Sequence, residues 1–378
     1  MIFAGLAALL IAPQVLVSRA VEAESINAGG RASSETRPFA AEAVAEFDTP
    51  WAIAFLPDGR MLVTEKPGRM FLVTQKGEKT AIDGVPAVAA SGQIGLLDII
   101  AAPDFASTNR IYFTFTEAAD GGTRAVLMRA TLSISEGGAR LADLEAIWRQ
   151  TPVGGRGQPG GIIAFDPARK HLFLAVGDRQ LGKPAQDPQD ARGKLLRLNL
   201  DGSTPSDNPN AAAGGVPAQT WTLGHRNPYG LAFAADGKLW EHEMGPRGGD
   251  EFNLIEAGKN YGWPVVSNGD NYDGSKIPRH ATRPDFAAPL LYWNPIIAPA
   301  GLVFYDGAMF PQWRGSALIG GLGSGVLVRV AFTNGQPDEA ERWDMGARIR
   351  DVAVAPDGTV WIIEDDDPGR LLRLTPVK

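Results

Sequence analysis

Trp51-Ala-Ile-Ala-Phe-Leu-Pro-Asp-Gly-Arg-Met-Leu-Val-Thr-Glu65 decides the fold of this chain. Apolar residues run up to a Pro-Asp-Gly turn and resume at Met61, the pattern of two antiparallel strands joined tightly. The unit recurs as Gly95-Leu-Leu-Asp-Ile-Ile-Ala-Ala-Pro-Asp-Phe105 with Arg110-Ile-Tyr-Phe-Thr-Phe-Thr116, and as Gly161-Ile-Ile-Ala-Phe-Asp-Pro167 with His171-Leu-Phe-Leu-Ala175. Further copies are Tyr229-Gly-Leu-Ala-Phe-Ala-Ala-Asp-Gly-Lys-Leu-Trp240, Gly301-Leu-Val-Phe-Tyr305 with Gly315-Ser-Ala-Leu-Ile319, and Asp351-Val-Ala-Val-Ala-Pro-Asp-Gly-Thr-Val-Trp-Ile-Ile363. Six copies over roughly 340 residues leave room for about two more strands each, which predicts an all-β, six-bladed β-propeller of four-stranded antiparallel blades. A sandwich accounts for the alternation but not for the regular recurrence. Val326-Leu-Val-Arg-Val330 and Leu371-Leu-Arg-Leu374 supply outer strands, and Val44-Ala-Glu-Phe47 is placed to close the ring beside the C-terminal strands.

The bulk chemistry narrows the function. With 378 residues, 45 Gly, 28 Pro and 44% hydrophobic residues, the chain suits a turn-rich globular protein. A net charge of -7 without a basic cluster argues against nucleic-acid binding. The absence of cysteine removes disulfides, thiolate metal sites and cysteine nucleophiles, so redox chemistry needs a borrowed cofactor. Residues 1–23 read as a signal peptide, with small residues at Ala20 and Ala23 for cleavage but no Lys or Arg ahead of the apolar stretch. A periplasmic or secreted location follows from that reading. Residues 24–40 read as a flexible leader, and 41–378 as a single propeller domain.

Polar residues concentrate among glycines in Gly224-His-Arg-Asn-Pro-Tyr-Gly-Leu231, Glu243-Met-Gly-Pro-Arg-Gly-Gly-Asp-Glu-Phe-Asn253 and Asn260-Tyr-Gly-Trp-Pro264. Such loops turn main-chain oxygens toward a hard cation or ligand, and they equally serve as plain blade connections. Together with Pro50-Trp-Ala-Ile-Ala-Phe55, Gly92-Gln-Ile-Gly-Leu-Leu-Asp98, Gly177-Asp-Arg179, Ala185-Gln-Asp187, Gly193-Lys-Leu-Leu-Arg197, Asp207-Asn-Pro209, Ala298-Pro299 and Arg348-Ile-Arg-Asp-Val352, they carry a resemblance. The chain resembles the soluble sugar dehydrogenases that depend on calcium and pyrroloquinoline quinone (PQQ), the aldose sugar or glucose/sorbosone dehydrogenase family, over roughly residues 44–376.

The resemblance implies PQQ and Ca²⁺ at the channel mouth. On this pattern Gly245 and Pro246 offer carbonyls to the ion, and Glu251 and Tyr261 match a second, structural Ca²⁺ site. Arg226 and Asn227 contact the quinone, while Arg348 and Arg350 meet its carboxylates, a task that suits the planar guanidinium. Solvated strand ends are the plain alternative for these arginines, and a cap or turn role for Glu251. In the family a sugar C1 hydride passes to the quinone as a histidine takes the hydroxyl proton, and an unknown soluble or membrane acceptor removes the electrons. Asp178 matches the carboxylate that orients that base, or serves as a turn residue; Gln93 and Arg226 surround the substrate.

Departures cluster at the same place. Gln158-Pro-Gly-Gly-Ile162 stands where relatives carry His-Phe-Gly, and glutamine has no titration near neutrality. Ala191, Gly323, Ile94 and Ile296 also differ from the usual residues. Of the four histidines, His225, His171 and His280 read as structural, and His242 lies beside the proposed metal loop. Three functions therefore stand: a sugar or alcohol dehydrogenase with a modified base, a non-catalytic carbohydrate- or protein-binding propeller, and a Ca²⁺-dependent lactonase-like hydrolase using Glu243, Asp250 or Asp178.

Overall fold

A computed structural model describes residues 25–377; the 1–23 segment read as a signal peptide lies outside the described residues. Each repeated unit forms the two inner strands of one blade. The innermost strands are Pro50–Phe55, Leu96–Ala101, Gly160–Phe165, Pro228–Phe233, Pro299–Phe304 and Ile349–Val354. Each packs against the next and the last against the first, closing a ring of six blades around a central channel. The channel encloses a cavity of about 500 Å³ lined by all six strands.

Every innermost strand carries a β-bulge near its start, for example between Pro50 and Ala52, Pro228 and Gly230, and Ile349 and Asp351. The extra residue breaks the ladder and increases local twist, which re-aims the strand entrance at the channel mouth.

Adjacent side chains on the second strands face opposite neighbours. Leu239 packs toward the third blade with Phe173 and Leu195, while Trp240 packs toward the fifth with Ile319 and Val328. Tyr112 and Phe113 divide likewise. Both faces of the second strand are thus buried, which is why these stretches read as nearly continuous apolar sequence. Each such side chain contributes about 1.5–3 kcal/mol by burial.

The sixth blade is completed by Phe39–Phe47, antiparallel to Gly369–Pro376, so the expected closure of the ring is realised by a strand somewhat longer than Val44–Phe47. The leader expected over 24–40 needs correction. Ile26–Asn27 adds a fifth strand to the fourth blade, parallel to Leu291–Trp293. Arg342 then donates to the carbonyls of Ala28 and Arg31, and Ser34 exchanges main-chain hydrogen bonds with Arg342 and Asp344 on the fifth blade. The segment covers open sheet edges, and edges supply main-chain partners whatever the side chains.

Candidate functional site

The channel mouth is built from the entrances of the innermost strands and the turns that follow the second strands. Asp178 follows His171–Val176, the loop from Met244 to Gly249 follows Leu239–Glu243, and Arg226 and Asn227 precede Pro228–Phe233. Four residues of the mouth, Gln158, Arg179, Gln180 and Ala298, adopt positive φ, from 46° to 63°. Non-glycine residues persist in that region when their surroundings hold them, and functional sites are where they collect.

Asp178, Gln158 and Arg226 form one chain of contacts. With its amide oriented to satisfy its neighbours, Gln158 donates to Asp178 Oδ1 at 2.5 Å and accepts from Arg226 Nη2 at 2.8 Å. Asp178 also accepts from Gln180 N at 2.8 Å, Gly182 N at 3.1 Å and Trp263 Nε1 at 2.8 Å. Burial raises its pKa while these donors and Arg226 act the other way. Exposed Gln93 accepts from the main-chain N of Gln158 at 2.9 Å and from Gln180 Nε2 at 3.3 Å, which joins the Gln93 and Gln180 side-chain amides beside the Gln158 backbone.

Arg226 is gripped on every side. Nη1 donates to the carbonyls of Met244 (2.9 Å) and Gly245 (2.8 Å), and the guanidinium lies over the rings of Trp263 and Tyr272. Its Nε, like Asn227 Oδ1, is buried without a partner among the described residues. Arg348 and Arg350 share Asp365, at 2.6 and 2.7 Å, and Arg350 lies over the Trp51 ring at the channel. Burial works against ionisation of Asp365, but the Arg350 and Arg348 charges hold its pKa below the usual value.

Gly245 and Pro246 lie in a tight loop anchored by Asp250. One Asp250 oxygen accepts from Gly245 N (2.9 Å) and the other from Ile297 N (2.9 Å) and Ala298 N (2.7 Å). A Cβ on Gly245 would stand 2.2 Å from the Gly248 carbonyl, so only glycine fits. Burial pushes the Asp250 carboxyl up to about 7.

Glu251 belongs to a buried acidic cluster on the neighbouring strands. It contacts His280 Nε2 at 3.1 Å and Asn253 Nδ2 at 3.3 Å. Glu241 lies nearby, its pKa raised well above the usual value by burial and by the Glu243 charge. Ligand atoms of His225, Glu241 and Glu243 come within 4.8 Å of one another, and Glu241 Oε1 and Asn253 Oδ1 have no partner among the described residues. The oxygen-rich, under-satisfied donor set fits a hard cation. Tyr261 stacks on His225 at 4.9 Å but commits its hydroxyl to Leu254 O, so only its main-chain oxygen is available to an ion.

Several expected bases prove structural. Glu243 accepts from the main-chain N–H groups of Arg226 and Asn227 and contacts His225. His242 Nε2 donates to Gly301 O at 2.9 Å, and burial lowers its pKa to about 4. Ala191 sits in the apolar core between the second and third blades. Sequence reasoning missed Tyr272, Asp365 and Gln180. Tyr272 lies in a polar connection with no periodic signal, whereas Asp365 belongs to a visible acidic run, Glu364-Asp-Asp-Asp367.

A closed six-blade ring with arginines, amides and carbonyls gathered at one mouth defines a propeller with a polar site at the end of its channel. The chain belongs to the glucose/sorbosone dehydrogenase family, aldose sugar dehydrogenases of the PQQ type: the profile described as Glucose / Sorbosone dehydrogenase matches residues 47–373. It is 38% identical to Aldose sugar dehydrogenase YliI of Escherichia coli over 341 residues, covering 88% of this chain and 91% of that protein. The crystal structure of the soluble aldose sugar dehydrogenase from Escherichia coli in the apo form is similar at TM-score 0.83 and 37% identity, covering 90% of this chain and 100% of that one. The PQQ-bound aldose sugar dehydrogenase of Streptomyces coelicolor matches at TM-score 0.73 and 27% identity, covering 91% and 99%.

Proposed function

We propose that this chain is a PQQ- and Ca²⁺-dependent sugar dehydrogenase, exported to the periplasm or beyond, in which Gln158 stands where the proton-accepting histidine of relatives lies. The observation that carries the reading is the mouth itself: Arg226 with an unpartnered buried Nε, beside the unpartnered Asn227 Oδ1, with Arg350 over Tyr229 at the same strand entrance and Arg348 sharing Asp365 with it. A polycarboxylate suits those cations, and the carbonyls of Gly245 and Pro246 suit a hard ion. PQQ, when bound, supplies a two-electron acceptor for a hydride from a sugar carbon.

The remaining steps fall to the chain. The exposed Gln93 and Gln180 present amides that hydrogen-bond sugar hydroxyls and orient one of them toward Gln158. Trp263 holds Asp178 at 2.8 Å, and Asp178 fixes the Gln158 amide. Asp178 has donors on both oxygens and is only 1% exposed, so it orients rather than removes the hydroxyl proton. The proton leaves to solvent without a positioned base, and turnover is slow.

Titration of the purified protein with PQQ and Ca²⁺, followed by dye reduction with aldoses and alcohols, tests this. Ca²⁺-dependent quinone binding with slow turnover supports it; no binding at high quinone sinks it. The saturated Asp178 and the non-titrating Gln158 favour a second reading, a carbohydrate-binding propeller without turnover, and sugar binding with no dye reduction would select it. The lactonase-like alternative loses support, because Glu243 and Asp250 are committed to main-chain amides.

A further inference from the structure

Arg226 Nη1 sits on two neighbouring carbonyls, 2.9 Å from Met244 O and 2.8 Å from Gly245 O. Converging carbonyl oxygens are what a hard cation seeks, and here a guanidinium has them. Its charge is fixed in place by the Gln158 amide oxygen at 2.8 Å, by the faces of Trp263 and Tyr272, and by the Tyr272 hydroxyl at 3.3 Å. Carboxylates do not neutralise it directly: Asp178 meets Gln158, and Asp250 spends both oxygens on main-chain N–H groups. A divalent ion arriving alone at Gly245 O would have to displace the guanidinium from a carbonyl it already occupies, with that positive charge still at close range in a partly desolvated mouth.

We infer that Arg226 stands in for a cation at the Met244 and Gly245 carbonyls, so that a divalent ion binds this loop tightly only together with an anionic ligand that draws the guanidinium away. The unpartnered Nε marks the means of release, since a carboxylate-bearing ligand would satisfy a donor that the free protein leaves unmet. Gln158 is the positioning residue of the device. It gives Arg226 a neutral acceptor, which holds the guanidinium without cancelling its charge. The inference rests on the proposed reading that this mouth takes an ion and a polycarboxylate. It adds a preferred order of binding: anion before or with metal, the metal alone being held at least tenfold more weakly than once the guanidinium is removed.

The test is calorimetric titration of the full chain with Ca²⁺ alone, comparing wild type, Arg226→Gln, Arg226→Lys and Gln158→Ala. Ion binding at the Glu251 cluster contributes in all four, so the number of bound ions, rather than the overall affinity, reports the Gly245 loop. Arg226→Gln should bind one additional Ca²⁺ at least tenfold more tightly than wild type, and Gln158→Ala should tighten binding several-fold. Arg226→Lys, which keeps the charge, should stay within about threefold of wild type. Wild type should acquire the additional site when PQQ is present. Equal Ca²⁺ affinity in all four proteins without quinone overturns the inference, as does Arg226→Lys behaving like Arg226→Gln. Should Arg226→Gln not fold, Gln158→Ala decides, because it leaves Arg226 in place. Failure of the cofactor reading shows separately, as no quinone binding in wild type at any Ca²⁺ concentration.

Discussion

A glutamine amide can donate and accept where an imidazole would, but it cannot take up a proton near neutrality. Gln158 is held by Asp178 on one side and Arg226 on the other, with its main-chain N–H on Gln93, so the side chain sits in a prepared place. That place already has the carboxylate an imidazole needs to fix its tautomer and stabilise its cation. Gln158→His should therefore raise kcat for aldose oxidation by about 10²- to 10⁴-fold, the usual contribution of a positioned general base. The gain should appear with a new ionisation in the pH profile of kcat. A variant that binds quinone normally yet shows neither change would mean that Gln158 does not occupy the base position. At the same scale, Arg226 was legible as a cofactor contact from Gly224-His-Arg-Asn-Pro, but its seat on the Met244 and Gly245 carbonyls was not. Residue type announces a charge; only the folded loop says what that charge rests against.

Between blades, the inner strands are joined by side chains that cross to the neighbouring bulge. Thr64 Oγ1 donates to Leu97 O (2.7 Å), Thr114 Oγ1 to Gly161 O (2.6 Å) and His242 Nε2 to Gly301 O (2.9 Å). Asp98 and Asp351 accept from Ile163 N and Ile53 N of the next blade, at 2.7 and 2.8 Å. Thr114→Val would leave Gly161 O and Asp98 N without the hydroxyl, at about 1–3 kcal/mol for an unmet buried group, read as a lower urea midpoint at unchanged m. His242 adds a pH dependence. Its folded pKa of about 4 lies below the ordinary 6.5, so between these values the unfolded chain takes a proton that the folded chain refuses. Its contribution is constant above pH 6.5 and declines as pH falls toward 4, by about 3 kcal/mol. Unfolding titrations at pH 7 and 4.5 should show His242→Gln losing less stability on acidification than wild type; equal losses would assign the acid sensitivity elsewhere. These crossings also explain what the sequence concealed. The strand pairs were legible because alternation and Pro-Asp-Gly turns are local properties, whereas a threonine that bonds a carbonyl 47 positions away looks like any strand residue. The stretch 25–40 hid its role for a related reason: much of its edge pairing uses main-chain groups, with single side-chain bonds such as that of Asn27 to Asn294, so its composition leaves no periodic trace.

In the whole molecule the N-terminal segment works as a belt over half the ring. It extends the fourth blade at Ile26–Asn27, is pinned to the fifth by Arg342 and Ser34, and supplies the outermost strand of the sixth at Phe39–Phe47. Cleavage after Ala20 or Ala23, the boundaries suggested by the sequence, would leave all three attachments intact. The attachments differ in depth. Phe39 and Phe47 are buried, Phe39 against Trp313 and Trp343 and Phe47 in the core shared with the first blade, while at the other end only small Ala28 is fully buried, with Ile26 partly packed and Asn27 bonded to Asn294 at the edge. Two truncations should therefore separate their roles. A chain beginning at residue 36 keeps the closing strand and should fold as a propeller, with a modest loss of stability and greater self-association through the uncovered edges of the fourth and fifth blades. A chain beginning at residue 49 loses the strand that joins the two ends of the ring, together with two buried phenylalanines whose removal costs about 3–5 kcal/mol each. It should fail to give a cooperatively unfolding monomer. Circular dichroism melts and light scattering of the two chains check this. A cooperative, monomeric 49–378 chain would show that the inner five blades and a three-stranded sixth hold the channel closed without the belt.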